Sequence, residues 1–310
     1  MISVITQSLI LAIMALGVYI TYKILDFPDM TADGSYTLGA SIIAICLVKG
    51  MSPITGIIIA VIGGGLAGLI TGLLHIKVKI SNLLSGILTM GMLYSINLRV
   101  MGKSNIPLFS FDSIFFGSIS PVLIAIVFVI LTKLLLDLFL KTGVGYTLKG
   151  VGDNEQMIKS LGIDIGNIKI LGLVISNSLI ALSGALMAQF QGFSDVTMGI
   201  GTLVLGIASI IIGLTIFKKV KFVNDTLAIL VGAFIYQFTI YFALNLGMLS
   251  TDLKLITSLV IVAFLAVSNL KLGKVNSVKS NKIENNESLK KNKLGVKTII
   301  NGNNGETQNI

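Results

Sequence analysis

The sequence predicts an all-α protein, a polytopic bundle of membrane-spanning helices. Of its 310 residues, 54% are hydrophobic and only 12% are charged, against roughly 25% charged residues in an ordinary soluble domain. The mean hydropathy is +0.94. A bilayer core is crossed by about 20 apolar residues, and such stretches recur along the chain. These observations exclude a water-soluble globule and predict a helical bundle that lives in lipid.

Apolar runs between charges and turn residues predict about nine spans. They cover residues 4–25, 35–48, 53–75, 82–100, 114–140, 168–190, 199–217, 226–244 and 254–270. The second run is short and follows a polar break at residues 26–34. This break could lie at the membrane surface or partly within the membrane, and the sequence leaves its depth open.

The chain divides by composition into a transmembrane domain, residues 1–270, and a polar tail, residues 271–310. The tail carries eight Lys and nine Asn with few large apolar residues, which is too little to bury a core. We expect a disordered cytoplasmic tail, with recognition of anionic lipid as the alternative. Because the tail also holds most of the excess positive charge, the net charge of +9 does not indicate nucleic acid binding.

The distribution of cations predicts the orientation, since Lys and Arg are retained on the cytoplasmic side. If the tail is inside and nine spans cross, 16 Lys lie in inner segments, whereas the outer loops hold only Lys49 and Lys103. The amino terminus is therefore predicted outside. The first ten residues contain no Lys or Arg, so the first span is expected to be permanent rather than a removable signal peptide.

Residue types that carry chemistry are scarce in this sequence. Gly102, Lys103 and Ser104 resemble the end of a phosphate-binding loop, but Asn97 stands where that loop needs its first glycine. His75 and Cys46 are single representatives of their types, which disfavours a metal site or a hydrolytic triad. The chain is expected to be no enzyme and to bind neither metal nor cofactor.

Several polar or small residues lie inside the predicted spans. Asn177 and Gln189 could line an aqueous path or form interhelical hydrogen bonds. Lys133 and Asp137 are spaced to pair on one helix face. The third span carries glycines at every fourth position, which could pack within one subunit or between subunits. These glycines are Gly64, Gly68 and Gly72.

The most informative segment is the loop at about residues 141–168. Asp153 or Asn154 can cap a short helix, Gly162 can end it, and one apolar face is predicted to unite Met157, Ile158 and Leu161. By its residues alone, this helix is either a docking element or an ordinary helix on the lipid surface.

This segment resembles the coupling-loop region of bacterial ABC importer permeases of the branched-chain amino acid and ribose type. The matching positions are Gly152, Asn154, Gly162, Ile163 and Lys169. The early segment FPDMTADGSYTLGA also resembles a motif of that family. It is most similar to a subgroup with some members linked to tryptophan or tyrosine uptake. Met157 and Ile158 depart from the family by replacing its usual paired alanines.

The resemblance implies a fold like that of type II ABC importer permeases, in a bacterial inner membrane. It implies a separate ATPase subunit that holds ATP, an extracellular substrate-binding lipoprotein, a second permease copy and membrane lipid as partners. The residues expected to couple to the ATPase are Gly152, Asp153, Asn154, Met157, Ile158, Leu161, Gly162 and Ile163. Those expected on the translocation path are Asp29, Asp33, Ser35, Asn177 and Gln189.

Two other functions compete with this interpretation. An ion-coupled secondary transporter would need a buried charge at mid-membrane and inverted repeats. The sequence shows no convincing repeat. A membrane scaffold that transports nothing would leave the intramembrane polar residues unexplained. The sequence does not identify the transported solute.

Overall fold

A computed structural model describes residues 1–117, 119–218 and 224–246, together with Leu255, Ser258, Leu259 and Val262. The chain divides into two units, residues 1–257 and 258–310, and the description below concerns the first. Its helices are α1 (Ile2–Tyr19), continued by a π-helical turn (Ile20–Ile24), α2 (Thr31–Val48), α3 (Pro53–Ile76), α4 (Asn82–Met101), α5 (Pro121–Leu140), α6 (Gly143–Asp153), α7 (Glu155–Ser160), α8 (Ile165–Gln191), α9 (Thr202–Phe217) and α10 (Asp225–Asn245). Two short strands, β1 (Asn105–Pro107) and β2 (Phe193–Asp195), join them.

The predicted all-α polytopic bundle is confirmed. Seven of these helices are long and apolar enough to cross a membrane: α1 with its π-helical turn, α2, α3, α4, α5, α8 and α10. The shorter apolar helix α9, Thr202–Phe217, corresponds to the predicted seventh span. Eight of the nine predicted spans thus have a matching helix. The ninth span, residues 254–270, falls almost wholly outside the described residues, and the tail, residues 271–310, falls entirely outside them.

Two span boundaries differ from the prediction. Helix α5 begins at Pro121 rather than at residue 114, because proline favours the first helical turn and the apolar residues before it form turns and bends instead. Helix α2 begins at Thr31, so the polar break shrinks to residues 25–30. Phe27 and Asp29 in this break are each 1% exposed. The break therefore alternates between buried residues, Phe27 and Asp29, and exposed ones, Asp26 and Pro28.

Helices α1, α2 and α8 form the centre of the bundle, and the glycine stripe of α3 packs against α8. A Cβ atom at Gly64 would lie 2.4 Å from the carbonyl oxygen of Asn177, and one at Gly68 would lie 2.3 Å from that of Leu173. Such approaches exclude any side chain at these positions. Packing within one subunit, the first of the two predicted roles for the stripe, is confirmed.

The bundle has two distinct ends. At one end, β1 pairs antiparallel with β2, with Ile106 opposite Ser194, and this pairing ties the segment after α4 to the segment after α8. At the other end lie α6 and α7, between the end of α5 and the start of α8. Neither the short sheet nor α6 was predicted from the sequence.

Large apolar side chains point outwards along the flanks of the bundle. They include Ile58, Ile62 and Leu66 on α3 and Leu131, Leu134, Leu135 and Leu138 on α5. Exposed apolar surface of this extent is expected where a helix faces lipid rather than water.

Candidate functional site

A buried polar cluster lies where the break after α1 meets α2 and α8. Asp29, Ser35 and Asn177, three of the predicted path residues, are each at most 1% exposed. The chain approaches this cluster through Asp26, whose φ is +51°. The amide N–H of Phe27 donates to the carbonyl oxygen of Thr21 at 2.9 Å. This turn directs the Asp29 side chain into the bundle.

Asn177 connects the members of the cluster. Its Nδ2 donates to Asp29 Oδ2 at 2.8 Å and to the carbonyl oxygen of Leu173 at 3.0 Å. Its Oδ1 accepts from Ser35 Oγ at 2.7 Å. Both Nδ2 and Oδ1 of this amide therefore have hydrogen-bond partners. The side chain fixes the relative position of α2 and α8.

The Asp29 carboxylate is held by hydrogen bonds alone. Its Oδ1 accepts from the amide N–H of Thr31 at 2.9 Å, and no Lys or Arg among the described residues forms an ion pair with it. The hydroxyls of Thr31 and Thr71 lie 2.7 Å apart and extend the polar region to α3. A buried carboxylate without a countercharge is costly in a membrane and marks a functional candidate.

Asp33, also predicted on the path, has a different environment. Its Oδ2 accepts from the amide N–H of Gly201 at 2.9 Å, and its Oδ1 accepts from the amide N–H of Leu203 at 2.8 Å. The Thr202 hydroxyl donates to Oδ1 at 3.1 Å. Asp33 thus supplies an N-terminal cap to α9 from another helix, and its oxygens are occupied by that helix.

Gln189 is separate from the cluster, although it is fully buried. It lies 12 residues beyond Asn177 on α8, which is about 18 Å along the helix axis. Its Oε1 accepts from the amide N–H of Ile114 at 3.3 Å. Its Nε2 has no hydrogen-bond partner among the described residues, and the same holds for Oδ1 of Asn97 on α4.

Asn97, Thr31 and Thr71 also belong to this polar interior, although they were not predicted from the sequence. Asn97 is a polar amide within the fourth predicted span, so its position in the sequence could have identified it. Its Nδ2 donates to the carbonyl oxygen of Gly34 at 3.3 Å. The threonines gave no comparable signal, because a threonine hydroxyl can bond to its own helix, as Thr71 does to Ala67 at 3.2 Å.

The predicted docking segment consists of two helices joined at a sharp corner. Thr142 caps α6 by accepting from the amide N–H of Gly145 at 3.2 Å. Asn154, in an extended conformation with φ −160°, ends α6 and caps α7 by accepting from the amide N–H of Met157 at 3.1 Å. Gly162 follows α7 with φ +76°. The predicted cap at Asn154 and the glycine at the end are confirmed, and Asp153 is the last residue of α6 instead.

The prediction that one face unites three apolar residues is wrong for Ile158. Met157 and Leu161 are 61% and 64% exposed, whereas Ile158 is only 6% exposed. Ile158 turns inwards because α6 passes beside it: a Cβ at Gly150 would lie 2.6 Å from its Cδ1. Ile163 packs in part against the core. The exposed apolar surface of this segment is therefore formed by Met157 on α7 and by Leu161, the C-cap residue of α7.

Two contacts attach this segment to the bundle. Lys169 Nζ on α8 pairs with Glu155 Oε1 on α7 at 2.6 Å, and Lys169 itself is 7% exposed. A Cβ at Gly152 would overlap the carbonyl oxygen of Ile24, at 1.8 Å. Helix α6 therefore rests directly on the π-helical turn that precedes the break containing the buried Asp29.

Comparisons with known proteins agree with this architecture. A permease of the tyrosine transport system of Clostridioides difficile is 72% identical over 271 residues, which cover 87% of this chain and 92% of that protein. An uncharacterized protein of Rickettsia prowazekii is 35% identical over 280 residues, which cover 87% of this chain and 98% of that protein.

A solved structure, PsaBC from Streptococcus pneumoniae in complex with Fab, shares the fold. Its TM-score is 0.53 at 14% sequence identity, and the match covers 86% of this chain and 89% of that chain. Residues 1–267 match the family described as the permease component of the branched-chain amino acid transport system. With its multiple apolar helices and this match over most of its length, the chain belongs to that family and is a multi-pass membrane permease.

Proposed function

We propose that this chain is the membrane-spanning subunit of an ATP-driven importer of an aromatic amino acid, with tyrosine the first candidate. The support for tyrosine is the 72% identity to a permease of a tyrosine transport system. In this proposal an extracellular lipoprotein delivers the solute, and a separate ATPase subunit binds and hydrolyses ATP. The permease acts as a homodimer in a bacterial inner membrane.

The observation that carries this proposal is the exposed apolar pair on α7. Met157 and Leu161 project from a helix whose start is fixed by Asn154 and whose inner side is anchored by Ile158. Burial of either side chain in an interface contributes about 1.5–3 kcal/mol. A short, anchored helix that presents two such residues outside the bundle fits a groove on a soluble partner.

A chain of contacts leads from this pair to the buried cluster. Helix α7 contacts α6 through Ile158 and Gly150, and α6 contacts the π-helical turn through Gly152 and the carbonyl oxygen of Ile24. Five residues further on, Asp29 bonds to Asn177. We propose that a displacement of α7 by the ATPase reaches Asp29 and Asn177 along this route, where a change of hydrogen-bond partners opens a path for the solute.

The test is a double variant, Met157→Asp with Leu161→Asp, co-expressed with the ATPase and the lipoprotein. Both positions are exposed, so the variant should reach the membrane. We expect it to lose both ATPase co-purification and tyrosine uptake. The matched control, Met157→Leu with Leu161→Met, keeps the apolar surface and should retain both. Survival of uptake and co-purification in the double Asp variant would place the coupling role elsewhere in the chain.

The buried Asp29 favours a second candidate, an ion-coupled secondary transporter. A carboxylate without an ion pair among the described residues could bind a proton or cation inside the membrane. Proteoliposomes separate the two mechanisms. The importer takes up tyrosine only with the ATPase, the lipoprotein and ATP, whereas a secondary transporter needs only the permease and an ion gradient.

A further inference from the structure

A polar cleft of about 390 Å³ lies where α5 ends and α10 begins, away from the Asp29 cluster. Helices α1, α5, α6 and α10 and the residue before α10 each contribute to its wall. The polar lining residues are Tyr19, Asp137, Lys141, Tyr146, Lys149, Asn224, Asp225 and Thr226. Nothing in the proposed transport mechanism uses this cleft.

The two carboxylates of the cleft are held by donors from the protein. Asp225 Oδ2 accepts from the Tyr19 hydroxyl at 3.0 Å. Asp137 accepts from the Thr226 hydroxyl at 2.7 Å and from Lys133 Nζ at 2.6 Å. The latter contact confirms the pairing of Lys133 with Asp137 predicted from their spacing. Both acidic side chains are thus held by protein donors.

The two lysine side chains of the cleft, in contrast, have no acidic partner among the described residues. Neither Lys141 nor Lys149 forms an ion pair with any acidic side chain in the described part of the chain. The Lys149 Nζ lies 5.6 Å from the centre of the Tyr146 ring. With Lys133 included, three ammonium groups stand against two carboxylates. The charge balance therefore favours an anion.

The position of the cleft identifies the kind of anion. Lys141 follows the last residue of α5, and Asn224 precedes the first residue of α10, so the cleft lies at the depth where membrane spans meet lipid headgroups. The last two turns of α5, the helix that carries the cleft residue Asp137, expose Leu134, Leu135 and Leu138. Tyr146 is 63% exposed, as is common for aromatic side chains at this depth. Two lysines without an acidic partner, at the end of a helix that exposes apolar side chains, fit an anionic lipid better than a small soluble anion.

We propose that the cleft binds the phosphate headgroup of an anionic phospholipid, with Lys141 and Lys149 contacting the headgroup and the exposed leucines of α5 contacting its acyl chains. In the proposed orientation of the chain, this lipid belongs to the inner leaflet. The site would make permease stability dependent on anionic lipid, independently of which solute is transported.

The test measures binding of phosphatidylglycerol and phosphatidylcholine with identical acyl chains to the purified full-length protein in detergent, by native mass spectrometry. The wild type should retain phosphatidylglycerol preferentially. The variant Lys141→Gln with Lys149→Gln should bind it about thirtyfold more weakly. The charge-preserving variant Lys141→Arg with Lys149→Arg should bind as the wild type does. The control Lys49→Gln with Lys103→Gln removes two exposed cations from the opposite end and should change nothing.

Three results would overturn the proposal. They are equal retention of both lipids by the wild type, wild-type affinity in the double Gln variant, and displacement of phosphatidylglycerol by inorganic phosphate at millimolar concentration. The last result would assign the cleft to a soluble anion. If the double Gln variant does not fold, the lipid preference of the wild type and the phosphate competition still decide the question.

Discussion

At the scale of residues, the buried Asp29 carboxylate is the group that depends most on its hydrogen-bond partners. It is 1% exposed, and only hydrogen bonds from Thr31 and Asn177 replace its hydration. A buried polar group that loses its partner costs about 1–3 kcal/mol, and a charged group costs more. Asn177 is therefore the side chain on which the stability of this region most depends.

Substituting Asn177 by leucine should lower the free energy of unfolding by about 3 kcal/mol, because both Asp29 and Ser35 lose a partner. Ser35→Ala removes only the donor to Asn177 Oδ1, so it should cost about 1 kcal/mol. Thermal unfolding of the purified variants measures the order. Equal losses in the two variants would contradict the central position of Asn177.

Only part of this site could be predicted from the sequence. A polar side chain within an apolar span is visible as such, which is how Asn177 was identified, whereas Ser35 was identified with the polar break and its family-like segment. Its partner is not visible, since Asn177 lies 148 residues from Asp29 in sequence. Asp33 illustrates the limit: it was expected on the translocation path, and the sequence did not show that it caps α9, whose start, 168 residues away, approaches it in the folded bundle.

At the scale of elements, α6 shows how packing overrides local propensity. Its 11 residues include Gly143, Gly145, Gly150 and Gly152, and each glycine inside a helix costs about 1 kcal/mol relative to alanine. This composition concealed the helix in the sequence. The structure gives the reason for two of these glycines, since a Cβ at Gly145 or Gly152 would overlap a carbonyl oxygen, of Phe139 or Ile24.

Gly152→Ala should separate coupling from docking. The added methyl group would force α6 away from the π-helical turn, while Met157 and Leu161 stay exposed on α7. We expect ATPase co-purification to persist and tyrosine uptake to fall at least tenfold. Gly143→Ala is the matched control, because a Cβ there meets no atom within 4 Å. Normal uptake by the Gly152→Ala protein would show that this contact transmits nothing.

At the scale of the whole molecule, the length of the apolar runs predicted the spans, because each must cross about 30 Å of hydrocarbon. The arrangement of the spans could not be predicted in this way. Nothing in an apolar run states which helices occupy the centre, and α2 and α8 do so because small residues such as Gly39 and Gly184 allow their backbones to meet. The small residues that determine this packing are spread over several helices. The sequence does not show which of them contact each other.

The folded bundle also sharpens the prediction of orientation. The β1–β2 pairing marks one end, and α6 and α7 mark the other. The loop cations Lys49 and Lys103 lie at the strand end. Those at the opposite end are Lys77, Lys79, Lys141, Lys149, Lys159 and Lys218. Because cations are retained in the cytoplasm, we expect α6 and α7 inside and the amino terminus outside.

Reporter fusions test this orientation loop by loop. Truncation after Lys103 should give an active alkaline phosphatase fusion, since that enzyme folds only outside the cytoplasm. Truncation after Lys149 should give a fluorescent protein fusion that folds inside. A fusion after Ile310 follows the predicted ninth span, residues 254–270, which would return the chain to the inner side after α10, so it should again report the cytoplasm. If the fusion at Ile310 reported the extracellular side and the other two fusions behaved as expected, the chain would have an even number of spans. Residues 254–270 would then not cross the membrane. Reversed signals at Lys103 and Lys149 would instead invert the whole bundle, and with it the side on which an ATPase could reach α7.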